Sequence, residues 1–168
     1  RLATRTDGLT GVSEFPDLDE PVLDRLPGPA PAGGPFPLHR LAEPFEALRD
    51  AGEAAGPVVR LVSLGPLVEH SERTTFAANL LAVAGIRTTV EPGSPVAVIC
   101  GSDDRCAAEA VDVARELRVD GVAHVLLVGR PGDRESDWRD AGVDEFVHAR
   151  SDILDVLGRM LDALGVAR

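Results

Sequence analysis

Short apolar runs recur at regular intervals from about residue 58 to the end of the chain. VVRLVSL (58–64) predicts a strand, and VAVIC (96–100) and HVLLVG (124–129) predict strands that are buried on both faces of a sheet. IRTTV (86–90) and DEFVHA (144–149) predict two more strands. The pattern therefore predicts five short strands in the second part of the chain.

The segments between these strands carry apolar residues at helical spacing. They predict helices over 72–85, over 103–118, around Trp138 and over 151–165. Strands that alternate with helices indicate a parallel sheet with right-handed crossovers. Five such units predict an α/β fold, a flavodoxin-like (Rossmann-like) five-stranded parallel sheet with helices on both faces.

The first third of the chain has a different character. LPGPAPAGGPFP (26–37) is too rich in Pro and Gly for a helix or an inner strand, so residues 1–37 are interpreted as an extended, semi-rigid linker that lies on a partner or another domain. A short helix that begins near Pro44 follows it. We expect a linker with a short helix over 1–55 and the α/β domain over 56–168.

Composition and charge narrow the classes of function. The chain has 168 residues, enough for one domain and an extended segment, and its net charge of −11 argues against binding to nucleic acid. All 17 basic residues are Arg, so lysine chemistry such as a Schiff base or a P-loop is excluded. The chain begins with Arg1 rather than Met, which indicates a fragment or a processed piece.

The two cysteines and the apolar runs bear on the compartment. Cys100 and Cys106 have neither CxxC nor zinc spacing, and they are expected in or near the core of a protein from a reducing cytoplasm. No apolar run approaches the roughly 20 residues that cross a bilayer, and the N-terminus lacks a signal-peptide pattern. The sequence predicts a cytoplasmic protein.

In an open parallel sheet, ligands lie beyond the carboxyl ends of the strands. Four loops meet that description, at residues 65–71, 101–104, 129–134 and 149–151. A phosphate-accepting receiver domain is excluded because no acid follows the first strand and the chain has no Lys. A flavin site of the flavodoxin type is not indicated, since a Ser/Thr-rich phosphate loop and stacking aromatics are missing.

Three segments carry a family resemblance: TDGLTGVSEFP (6–16), RLAEPFEALRDA (40–51) and LGPLVEHSERTTFAANLLAVAGI (64–86). The chain resembles the cobalamin-binding domain and preceding linker of methylmalonyl-CoA mutase. It is more similar still to the small, non-catalytic subunit of the heterodimeric bacterial mutases. The resemblance implies an isomerase that interconverts methylmalonyl-CoA and succinyl-CoA with adenosylcobalamin, and a catalytic large subunit as the partner.

The family motif is Asp-x-His-x-x-Gly, in which the His binds cobalt and the Asp orients it. A carboxylate on the second imidazole nitrogen fixes the tautomer and raises the basicity of the ligand. In this chain the three positions are Val68, His70 and Arg73. Val68 cannot accept a hydrogen bond, and Arg73 places a long side chain where the nucleotide tail of the cofactor should pass, so only the histidine survives.

Other family positions also differ. A Ser-x-Leu segment of the family corresponds to Gly101, Ser102 and Asp103, so a serine is present only at its middle position. Ser102 is also a candidate N-cap for the next helix. A Gly-Gly pair corresponds to Gly129 and Arg130, and a later Gly corresponds to Arg150. Three arginines are thus expected around the space of the nucleotide tail.

We expect a degenerate cobalamin-type domain that does not bind cobalamin and supports the large subunit. His70 is then a histidine of the loop or of the helix start, with a local hydrogen bond. The chain alone is expected to be inactive, since the radical reaction needs a barrel of about 250 residues.

Two alternatives remain open. One is a working cobalamin module with His70 as the cobalt ligand and Ser102 as a cofactor contact; the other is a regulatory module that binds CoA or another anion through its arginines. The histidines at positions 39, 124 and 148 are interpreted as structural or as part of the linker, and Trp138 as a cover of the sheet edge.

Overall fold

The computed structural model describes residues 1–21, 28 and 40–167. Most of the Pro/Gly-rich stretch lies outside the described residues, as does His39. Among the described helices, none is both long and apolar enough to cross a membrane.

The centre of the molecule is a five-stranded, all-parallel sheet, as the sequence predicts. The strands have the order β2-β1-β3-β4-β5. They are β1 Val58–Ser63, β2 Arg87–Thr89, β3 Val96–Cys100, β4 His124–Val128 and β5 Glu145–Val147. The central strand β3 is buried along its whole length, because helices cover both faces of the sheet there.

The helices lie close to the predicted segments. They are α1 Glu43–Ala55, α2 Leu67–Val83, α3 Asp103–Val119, α4 Glu135–Ala141 and α5 Ile153–Ala163, with a short 3-10 turn at Gly132–Arg134 before α4. Pro44 occupies the first turn of α1. Backbone N–H groups in a first turn have no partner within the helix, so the missing N–H of proline costs no hydrogen bond there. This α/β arrangement confirms the flavodoxin-like fold.

Two hydrophobic clusters hold the layers together, one on each face of the sheet. Residues of α1, α2 and α5 pack on one face around Leu61, Val98 and Leu126. On the other face, α3 and α4 pack around Ile99 and Leu127. This division follows from the alternation of side chains along each strand.

Trp138 lies in the second of these clusters. It is buried, and its ring centroid is 5.9 Å from that of Phe146 on the edge strand β5. Cys100 and Cys106 are both buried and unpaired with each other, as expected for core residues.

The N-terminal segment packs against the α/β layers. Turns occupy residues 2–5 and 11–13 of this segment, and most of the expected linker beyond residue 21 lies outside the described residues, so its extended conformation stays a prediction. Ile153 donates its backbone N–H to the Ala3 carbonyl over 2.8 Å, which joins the segment to the start of α5. Arg5 donates two hydrogen bonds to the Ser13 carbonyl and lies 5.6 Å from the ring centroid of Phe76 on α2. The proposed boundary at residue 55 stays a prediction.

Candidate ligand site at the carboxyl edge of the sheet

The direction of winding reverses between β1 and β3, which lie side by side in the sheet. Ligands of open α/β sheets bind at such a crossover, beyond the carboxyl ends of the strands. Leu64 donates its backbone N–H to the Cys100 carbonyl over 2.8 Å, so the two chains stay together just past the sheet. The segments that follow β1 and β3 therefore form the centre of the candidate site.

The loop after β1 is shorter than the predicted 65–71. Helix α2 begins at Leu67, because Pro66 precedes it with a fixed φ and Glu69 supplies an acid that the dipole of the first turn favours. His70 consequently lies in the first turn of a helix rather than in a loop. The predicted start of this helix at residue 72 was five residues late.

His70 has a local hydrogen-bond partner. Its Nδ1 lies 3.2 Å from Thr74 Oγ1, one turn further along α2, and Thr74 Oγ1 lies 3.4 Å from Ser63 Oγ at the end of β1. Val68, at the position of the motif's Asp, is 85% exposed and carries no hydrogen-bonding atom in its side chain. The neighbour of the imidazole is thus a hydroxyl and not a carboxylate.

Glu69 does not take the place of the missing Asp. Its carboxylate forms an ion pair with Arg105 of α3, and Arg105 also donates to Glu109 over 2.8 Å. Both glutamates raise the pKa of Arg105 through these hydrogen bonds. The pair lies directly over Gly65, where a Cβ would come within 2.7 Å of Arg105 Nε and where φ is +73°.

Arg73 crosses the edge of the sheet from α2 toward the ends of β3 and β4. Its Nη1 donates to the Gly101 carbonyl over 2.7 Å, and its Nη2 donates to Asp103 over 2.5 Å. A Cβ on Gly129, just beyond β4, would lie 3.0 Å from Arg73 Nη1. The guanidinium therefore fills the space next to Gly129, which the family resemblance assigns to the nucleotide tail.

Ser102 is the N-cap of α3. Its Oγ accepts a hydrogen bond from the backbone N–H of Arg105 over 3.3 Å. This local role is the one that its position before Asp103 predicts. Contact between Ser102 and a cofactor stays a prediction.

A cavity of about 380 Å³ lies beside Arg73; we call it the edge cavity. Residues of α2, of the segments after β3 and β4, and of the loop after β5 line it. They are Glu72, Arg73, Phe76, Asp103, Val128, Gly129, Arg130, His148 and Ala149. Arg150 follows this lining, and its backbone N–H donates to His148 Nδ1 over 3.2 Å.

The structure thus brings together the arginines that the sequence singled out. Arg73 and Arg130 line the same cavity and Arg150 adjoins it, whereas His70 is not among the residues that line it. The sequence argument missed His148 and Phe76 as parts of this site. His148 could have been found, because it lies in the same strand-end loop as Arg150.

A cobalt-bearing cofactor with a nucleotide tail does not match this edge well. The structure places a hydroxyl, and no carboxylate, next to the His70 imidazole. The Gly101 carbonyl and the Asp103 carboxylate hold the guanidinium of Arg73 in the space that the family resemblance assigns to the tail. In the described part of the chain, His, Cys, Asp and Glu side chains form no group of three or more that could hold a bare metal ion.

Fold and edge together define a flavodoxin-like α/β domain with a candidate ligand site at the β1/β3 crossover. No protein-family model matches the chain. The chain is a homologue of methylmalonyl-CoA mutase small subunits: it is 37% identical to that of Streptomyces virginiae over 188 aligned positions, which include 99% of the chain.

Two further relatives agree with this assignment. The probable small subunit of Mycobacterium tuberculosis is 39% identical over 98% of the chain, and the small subunit of Propionibacterium freudenreichii is 32% identical over all of it. The chain spans about 29% of the length of these relatives. The family resemblance that the sequence motifs indicate is therefore confirmed for the region that the chain covers.

Proposed function

We propose that this chain is the C-terminal, cobalamin-type part of a methylmalonyl-CoA mutase small subunit, and that it supports a catalytic large subunit without holding cobalamin itself. The observation that supports this most directly is the position of Arg73. Its guanidinium is bound by the Gly101 carbonyl and the Asp103 carboxylate in the space that the nucleotide tail needs.

Opening that space has an energetic cost. The Arg73 side chain is 24% exposed, so its removal from the edge would leave the Gly101 carbonyl without this donor and would break a charge-assisted hydrogen bond to Asp103. Because the Asp103 side chain is 87% exposed, solvent screens its ion pair with Arg73, and the two contacts together contribute about 1–2 kcal/mol. A cofactor tail would have to supply at least that much binding energy before any net affinity remained.

The surroundings of His70 support the same proposal. A metal-bound imidazole gains basicity from a carboxylate on its other nitrogen. Here Thr74 occupies Nδ1, Glu69 is held by Arg105, and the side chain of Val68 is apolar. His70 is thereby a weaker candidate ligand than the histidine of the intact motif.

The reaction of the complete enzyme is the interconversion of methylmalonyl-CoA and succinyl-CoA, and adenosylcobalamin supplies the radical when bound. In this proposal both the cofactor and the substrate are bound by the large subunit. This chain alone is inactive, because the radical step needs substrate and cofactor enclosed together in a barrel. The two unpaired, buried cysteines are in keeping with a cytoplasmic protein.

A titration with adenosylcobalamin and hydroxocobalamin tests the proposal. We expect no saturable binding by calorimetry and no change in the visible absorbance at hundreds of micromolar cofactor. Saturable binding with a spectral change that disappears in His70→Ala would instead establish the alternative, a working cobalamin module with His70 as the cobalt ligand.

The supporting role needs a separate experiment. The complete small subunit is co-expressed with a large subunit and compared with a version that ends before residue 56. We expect the complete form to co-purify with the large subunit and to raise the yield of active mutase. Equal yield and activity with the shortened form would contradict a supporting role for this domain.

A further inference from the structure

We propose that the edge cavity binds the phosphoryl group of a small organic phosphate, held by Arg130, Arg150 and the Nε2–H of His148. This inference goes beyond the proposed supporting role. It assigns to the remodelled edge of the sheet a ligand of its own. The argument rests on the size of the cavity, on its charges and on the orientation of one imidazole.

The cavity has room for more than a free ion. Its volume of about 380 Å³ lies in the range of pockets that hold small organic ligands. Phe76 and Val128 give it an apolar wall, while Arg130 and His148 give it a polar one. A ligand with a charged end and an apolar body matches such a lining.

The charges at the cavity do not cancel. Arg73 and Asp103 neutralise each other through their ion pair, which leaves Glu72 as the remaining acid of the lining. Arg130 and Arg150 are exposed, and the structure pairs neither guanidinium with a carboxylate within the described ranges. Two arginines against one glutamate leave a local excess of positive charge on a chain whose net charge is −11.

His148 is oriented to donate. Its Nδ1 accepts a hydrogen bond from the Arg150 backbone N–H, so in the neutral imidazole the proton resides on Nε2. The backbone N–H of His148 donates to Ser151 Oγ over 3.0 Å, which fixes the loop that carries both residues. Burial and the neighbouring Arg130 and Arg150 lower the pKa of His148, as expected where positive charge is not neutralised.

Guanidinium groups with unused N–H donors match the geometry of phosphate oxygens. The Nε2–H of His148 adds a further donor, on a residue whose imidazole feels the charges of both Arg130 and Arg150. The positive field that disfavours a proton on His148 favours an incoming anion at the same place. Together these groups supply the donors of a phosphoryl site without any contribution from Arg73.

Inorganic pyrophosphate is the probe for the test, because it carries the phosphoryl chemistry without an organic body. The full chain is titrated by calorimetry and melted in the presence of pyrophosphate, against sodium chloride of equal ionic strength. We expect saturable binding and a rise in the melting temperature beyond the salt control. No saturable heat and no rise beyond the salt control would overturn the proposal.

Three variants locate the binding. The double variant Arg130→Gln/Arg150→Gln should weaken pyrophosphate about tenfold or more, and Glu72→Gln should strengthen it, since a repelling carboxylate is removed. Arg115→Gln, on the exposed face of α3, removes the same charge away from the cavity and should leave the affinity within about twofold. If Arg115→Gln and the double variant lose affinity for pyrophosphate equally, the effect comes from the overall charge of the chain, and the proposed site is overturned.

Discussion

Asp103 holds the guanidinium of Arg73 at 2.5 Å across the carboxyl edge of the sheet. The two residues are 30 positions apart and belong to different helices, α2 and α3. Asp103 alone looks like a first-turn acid that the helix dipole favours. Its contact with Arg73 gives it a second role, because it keeps a long side chain over the place where a ligand of this fold would enter.

Removal of this contact should cost stability. Arg73→Ala leaves the Gly101 carbonyl without its donor, and we expect a loss of about 1–2 kcal/mol in the free energy of unfolding. Urea denaturation measures it. Arg115→Ala, an exposed arginine of α3, serves as the control and should stay within about 0.5 kcal/mol of the native chain. Equal losses for the two variants would mean that the Arg73 contacts contribute nothing specific.

Gly52 fixes the approach of α1 to the end of α2. A Cβ at this position would lie 1.8 Å from the Ala84 carbonyl oxygen, so Gly52→Ala forces the two helices apart. We expect a loss of about 2–3 kcal/mol, measured by thermal or urea unfolding. Asp50→Ala, at an exposed position of the same helix, should change stability by less than about 0.5 kcal/mol. A neutral Gly52→Ala would contradict the packing described here.

The two thiols should be inert in the folded protein. Burial raises the pKa of Cys100 to about 12 and also raises the pKa of Cys106. Because the thiolate is the reactive form, roughly one Cys100 in ten thousand is reactive at pH 8. A thiol-reactive dye should therefore label neither cysteine until the chain is denatured, and then both. Rapid labelling of the native chain would show that one thiol is accessible.

Glu145 should make stability depend on pH. Burial alone would raise the pKa of its carboxyl. His124 and Arg159 lower this pKa by more than burial raises it, so the folded pKa lies below the ordinary value. A depressed pKa contributes stability that is present above the unfolded pKa of about 4.3 and is lost as pH falls through the folded pKa. Glu145→Gln should then cost about 1–2 kcal/mol at pH 7 and progressively less below about pH 4.

Urea unfolding at several pH values measures this effect of Glu145. Glu116→Gln is the control, since Glu116 is exposed on α3. The difference in unfolding free energy between Glu116→Gln and the native chain should not become smaller as the pH falls. If the loss of unfolding free energy in Glu145→Gln stays constant down to pH 3, the charge of Glu145 is not the cause of that loss.

The fold could be predicted from the sequence because its strands are short apolar runs separated by helices of clear period. VAVIC and HVLLVG became β3 and β4 with little or no change in bounds. The start of α2 could not be placed, because LVEHSER has little amphipathic pattern and the helix begins through Pro66 and the first-turn acid Glu69 instead. Periodicity alone does not report such local signals.

The candidate site was predicted in part. The positions of the family motif identified Arg73 as an obstacle, and the positions that correspond to family glycines after the fourth and fifth strands placed Arg130 and Arg150 near it. The exact partners could not be fixed: the sequence does not select Asp103 among the nearby acids as the partner of Arg73, or Arg105 as the partner of Glu69, since these contacts join residues 30 and 36 positions apart. These ion pairs depend on how α2 and α3, which cover opposite faces of the sheet, meet at its carboxyl edge, and periodicity does not encode this.

The most direct test of the central claim compares cobalamin binding by the native chain and by Val68→Asp/Arg73→Gly, which restores the family motif around His70. Circular dichroism first checks that both forms are folded. Visible absorbance then follows a titration with hydroxocobalamin. The account predicts no spectral change for the native chain and a saturable change for the double variant. Saturable binding by the native chain, lost in His70→Ala, would contradict it.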